Sequence, residues 1–101
     1  MGDQVASYAV LTNMGGFVTQ FSIAWGGGET DRSDKLALGE SVTIDLKPYH
    51  KQVHRGTSCC ARAYIVDGPN HNSGRNFTFD VTQEEPVECT ITGTIFDPSF
   101  D

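Results

Sequence analysis

From Phe17 onward the side chains alternate. Phe17, Thr19, Phe21, Ile23 and Trp25 fall on one side, and Val18, Gln20, Ser22 and Ala24 on the other. A period of two over this length predicts a strand with one buried face. The aromatics on that face need a second apolar layer to cover them. The same alternation recurs over residues 41–46, with Val42, Ile44 and Leu46 inward. It recurs over residues 59–66, where Cys59, Ala61, Ala63 and Ile65 oppose Cys60, Arg62, Tyr64 and Val66. Residues 76–81 place Phe77, Phe79 and Val81 inward. Residues 5–11 read as a first strand, 35–38 as a short one, and 88–96 as the last, stopped by Pro98.

No segment sustains a 3.6-residue period, and no repeat or low-complexity tract is present. About seven short strands separated by turn residues predict an all-β chain. The expected fold is a single antiparallel β-sandwich, immunoglobulin-like in architecture, with residues 1–101 as one domain. A strict immunoglobulin domain is excluded, because the Cys…Trp…Cys order is missing. If consecutive strands alternate direction, one end gathers residues 13–16, Gly39-Glu40, residues 67–75 and the tail after Phe96. The other end gathers residues 26–33, 47–58 and 82–86. Residues 47–58 are long for an unstructured connection, so they are either functional or locally ordered.

Composition narrows the partners. The net charge of −6 argues against nucleic acid, which needs a basic face, and against electrostatic docking on anionic lipid. No apolar run is long enough to span a membrane. Residues 1–4 carry no basic or apolar leader, which leaves open a cytoplasmic protein, one secreted by a non-standard route, or one whose signal segment has been removed. The three cysteines, Cys59, Cys60 and Cys89, leave at least one thiol outside any internal disulfide. A bridge from Cys59 or Cys60 to Cys89 and a set of small buried hydrophobes are both open readings.

The richest candidate site is residues 67–75. Asp67, Asn70, His71, Asn72 and Arg75 offer the planar, bidentate hydrogen bonding that suits sugar hydroxyls or acidic sugars. Phe96 or Tyr64 would stack on a sugar face. A solvated turn using Gly, Pro and Asn for backbone reasons is the plainer reading. Lys47, His50, Lys51, His54 and Arg55 form a basic patch, set against Glu29, Asp31, Glu84 and Glu85 at the same predicted end. His50 and His54 with Cys59 or Cys60 lack the paired-cysteine spacing of a zinc site, so no metal is expected. No cofactor is expected either, and no residue set stands behind a Ca²⁺ role. Asn76-Phe77-Thr78 is a glycosylation sequon. No G-x-S-x-G, P-loop or dinucleotide fingerprint occurs, so no enzymatic activity is expected.

Three stretches together carry a resemblance. Gly15-Gly16-Phe17-Val18-Thr19-Gln20-Phe21-Ser22-Ile23-Ala24-Trp25 resembles the opening strand of the C-terminal β-sandwich of thiol-activated, cholesterol-dependent cytolysins. Ser41-Val42-Thr43-Ile44-Asp45-Leu46 is similar to that domain's middle strand. Thr92-Gly93-Thr94-Ile95-Phe96-Asp97-Pro98 is similar to its closing segment. The same sandwich resembles small slime-mould hemagglutinin-type lectins. The resemblance implies the fold and a tip that meets a cell surface. The family's sterol-reading Thr-Leu pair falls on Ile95-Phe96, and the place of its Trp-rich loop holds residues 67–75 without tryptophan. A polar loop there fits sugar better than bilayer. The expected function is therefore a cell-surface lectin or hemagglutinin, binding glycans or glycoproteins. Agglutination requires a homodimer or two sites per chain. The alternative is a lipid- or sterol-surface module inserting Ile95, Phe96 and Phe100.

Overall fold

The computed structural model describes residues 4–100, with the side chains of residues 74 and 75 outside that description. Nine strands are described: β1 (Gln4–Ala6), β2 (Tyr8–Asn13), β3 (Thr19–Trp25), β4 (Gly28–Glu29), β5 (Ser41–Asp45), β6 (Ser58–Ile65), β7 (Asn70–Phe79), β8 (Val87–Thr94) and β9 (Asp97–Phe100). They form two sheets, ordered β1-β7-β6-β3-β4 and β5-β2-β8-β9. The core lies between them, as the alternation requires. The first sheet contributes Phe21, Ile23, Ala61, Ala63, Ile65, Phe77 and Phe79, and the second contributes Ala9, Leu11, Val87, Ile91 and Phe100. Phe21 and Phe100 meet across the layers, ring centroids 5.6 Å apart. Val42, Ile44 and Leu46 pack inward as expected, and Cys59 and Cys89 are buried. Val81, expected inward, lies past the end of β7 and is exposed.

The expected β-sandwich is present, but its sheets are mixed rather than purely antiparallel. β1 runs parallel to β7, with Gln4 opposite Phe77, and β2 runs parallel to β8, with Ala9 opposite Val87. The first strand expected over residues 5–11 is thus two strands in different sheets. The chain changes sheets at Ser7. This residue is fully buried, and its hydroxyl donates to the Gln83 carbonyl at 2.8 Å. Residues 35–38 contribute only a bridge between Leu36 and Thr19. The closing segment is a hairpin. Pro98 sits within β9 on the sheet edge, where its missing N–H costs no ladder bond.

Residues 67–75, expected as a loop, divide at Asn70. Only residues 66–69 turn, and β7 begins at Asn70 paired with Tyr64. Asn and Gly are poor strand formers in isolation, but pairing with β6 overrides that preference. The irregular composition is absorbed as a bulge. Cys60 pairs with Asn76 and Arg62 with Asn72, so residues 73–75 oppose Ala61 alone. The Ser73 hydroxyl accepts the Ala61 N–H there at 3.2 Å. Residues 47–58 are locally ordered, through a 3-10 turn over Lys47–Tyr49 and the buried Val53.

Candidate functional site

Four segments meet at one end of the sandwich: residues 14–18, 36–40, 66–69 and the β8–β9 turn. Asn13 ties the first two together. This buried amide donates to the carbonyls of Phe17 at 2.7 Å and Leu36 at 3.0 Å, and accepts the Gly15 N–H at 2.9 Å. Backbone bonds tie the same segments to the sheet, Met14 to Ile91, Gly16 to Gly93 and Gly39 to Asn13. Large apolar side chains point out of this end. Phe96 is 94% exposed, Leu38 62%, Met14 51% and Val18 38%. Only two other large apolar residues, Val5 and Val81, are exposed among the described residues. An aromatic exposed to this degree costs solvation and needs a reason. Ile95 and Phe100, expected to insert beside Phe96, point the other way. Ile95 packs against the core, and Phe100 is buried on Phe21.

The residues expected to bind sugar are divided. Asp67, in left-handed backbone at φ 61°, lies in the 66–69 turn at the loop end with Phe96. Asn70 opens β7 on the outer face of its sheet and is exposed. His71 is half-buried, its Nε2 without a partner among the described residues. Asn72 lies further along the same sheet face, opposite Arg62. Arg75 falls outside the described side chains. Tyr64 is unavailable for stacking. It is 7% exposed, and the Arg32 guanidinium covers its ring at 3.7 Å.

That outer sheet face carries an ordered polar network. Glu29 on β4 accepts from the Tyr64 hydroxyl and, at 2.7 Å, from the Ser22 hydroxyl. Arg62 Nη1 lies 3.7 Å from Glu29 Oε1. The Tyr64 and Ser22 hydroxyls, with Arg62 and Arg32 beyond them, hold the Glu29 carboxyl below the usual range. Beside this network, on the half of the sheet away from Phe96, lies a groove of about 280 Å³. Its walls include Trp25, Ser58, Cys60, Arg62, Asn72 and Asn76. Cys59, on its floor, is no nucleophile, because burial pushes its thiol up to about 11. The alternation marks Cys60 and Arg62 as outward-facing, but it puts Trp25 on the core side and leaves Asn72 in a loop. Nothing in their local spacing says that three strands bring them together.

The opposite end carries the basic patch. Arg55 pairs there with Asp80 at 3.2 Å rather than with the acidic residues expected to balance it. No group of three His, Cys, Asp or Glu is placed to hold a metal among the described residues. No helix is long and apolar enough to cross a membrane.

No family model matches the chain, and no curated protein matches it. Solved structures do. A non-hemolytic pneumolysin from Streptococcus pneumoniae is similar at 20% identity and TM-score 0.50, over 94% of this chain and 22% of that one. A Gram-negative toxin is similar at 17% identity and TM-score 0.50, with the same coverage of both chains. A structure of the membrane-binding domain of pneumolysin matches at 19% identity and TM-score 0.49, over 94% of this chain and 93% of that one. The chain thus spans 22% of the length of the full toxins. At these identities the likeness is one of fold, and it is the cytolysin sandwich that the three sequence stretches resemble.

Proposed function

We propose that this protein is a non-enzymatic surface-binding module that docks its loop end on a neutral lipid surface. The observation that carries the reading is the exposure of Phe96, Leu38, Met14 and Val18, from three segments, at one end of the sandwich. An exposed apolar end suits the yielding interface of a bilayer better than it suits a pocket. Full burial of one such side chain contributes about 1.5–3 kcal/mol, so the four together support reversible docking. Glu40, Asp67 and Asp97 lie in or beside the same turns, and the chain carries −6 overall, which disfavours anionic headgroups. The cytolysin resemblance also implies a tip that meets a cell surface. Ile95-Phe96 stands where that family reads sterol, and here only Phe96 is presented outward.

The test is co-sedimentation with phosphatidylcholine vesicles, with and without cholesterol. The wild-type protein should pellet with them, and Phe96→Ser combined with Leu38→Ser should remain in the supernatant. A wild-type protein that stays in solution with both vesicle types overturns the reading, as does a double variant that pellets like the wild type.

A further inference from the structure

We infer that the outer face of the five-stranded sheet holds a second binding site, a groove that takes a single neutral sugar residue. This does not rest on the lipid reading, because the groove lies on the other half of the sheet from Phe96. Its chemistry is that of a polyhydroxylated ring. Asn72 and Asn76 are exposed on β7, and each amide presents both donors and an acceptor. No hydrogen bond engages either side chain among the described residues. Ser58 adds a hydroxyl, and Trp25, whose strand partner is the buried Cys59 and which packs against the core, borders the groove at the end of β3.

The site is ordered before any ligand arrives. Arg62 is held by Glu29 at 3.7 Å and lies 5.6 Å from the Tyr64 ring centroid. Trp25 is held edge-on by Tyr49, ring centroids 5.9 Å apart. The β7 bulge between Asn72 and Asn76 sets the spacing of the two amides along the groove. The pairing of Arg62 with Glu29 offsets its charge, so the groove favours a neutral ligand over an anion. The Arg62 Nε is buried without an acceptor among the described residues, and a small turn toward the groove would give it a ligand oxygen. At about 280 Å³ the groove lies near the lower limit of ligand pockets, about 300 Å³, which limits it to one ring with the rest of a glycan outside.

The chain holds one tryptophan, and it lines this groove. Intrinsic fluorescence therefore reads occupancy directly. The probes are the methyl glycosides of glucose, galactose, mannose, fucose and N-acetylglucosamine, titrated into the full chain. At least one should give a saturable change in Trp25 emission. Asn72→Ala and Asn76→Ala should each weaken it by roughly tenfold, the scale of one or two lost hydrogen bonds. Phe96→Ser should leave it unchanged, which separates this site from the lipid-docking end. No saturable change with any glycoside overturns the proposal, as does a response that survives in both asparagine variants.

Discussion

Asn13 uses both ends of its amide inside the protein, two donated bonds and one accepted, which hold residues 15–17 and Leu36 together at the loop end. Asn13→Ala leaves the Phe17 and Leu36 carbonyls and the Gly15 N–H without this partner. The expected loss is about 2–4 kcal/mol, measured by urea unfolding, together with weaker vesicle binding as the apolar tip loosens. Phe96 is the opposite case. At 94% exposure it supports no packing, so Phe96→Ser should change stability by less than about 0.5 kcal/mol while reducing vesicle binding. A large loss of stability in that variant would place Phe96 in a structural role instead. At this scale the alternation identified most core positions correctly, Phe21, Ile23, Ala61, Ala63, Phe77 and Phe79 among them. It was silent on the tip. Met14, Val18, Leu38 and Phe96 are scattered apolar residues in three segments, and only the folded chain brings them to one end.

Glu29 fastens β4 to β3 and β6 through Ser22, Tyr64 and Arg62. Its carboxyl is depressed in the folded state, chiefly by the Tyr64 hydroxyl and then by Ser22. A depressed carboxylate adds stability above its unfolded pKa and loses it as pH falls through the folded value. The thermal midpoint should therefore drop as the solution is acidified below about pH 4, and Glu29→Gln should flatten that acid limb. An acid limb identical in wild type and variant would show that the network adds nothing. In the β8–β9 hairpin, Gly93 has φ 94°, and an added Cβ would lie 2.4 Å from the Asp97 carbonyl oxygen. Gly93→Ala should destabilise by about 1–3 kcal/mol in urea unfolding and misplace Phe96. The sequence located most strands but misread the start of β7. Residues 70–76 have the composition of a turn, and their strand conformation comes from pairing with β6, which local pattern does not contain.

Across the whole molecule, the alternation of strand direction put residues 13–16, Gly39-Glu40 and Asp67 at one end as found, but residues 70–75 and the tail after Phe96 belong to strands β7 and β9. Two pairings are parallel, and they join strands far apart in sequence. Such pairings leave no mark on local periodicity, and so the mixed character of the sheets was not legible. The apolar tip and the sheet-face groove belong to different parts of one body about 35 Å long, and neither needs the other to be filled. The early strands have a consequence in time as well as in space. β1 finds its partner at Phe77 and β2 its parallel neighbour at Val87, each more than seventy residues downstream. Loop-closure entropy must be overcome before either contact forms, so refolding should fall in the milliseconds-to-seconds range of β-sandwiches, as stopped-flow Trp25 fluorescence would show. A microsecond phase carrying the full amplitude would contradict this. During synthesis β1 has no strand to pair with until β7 has been made, whereas β2 can already have paired with β5.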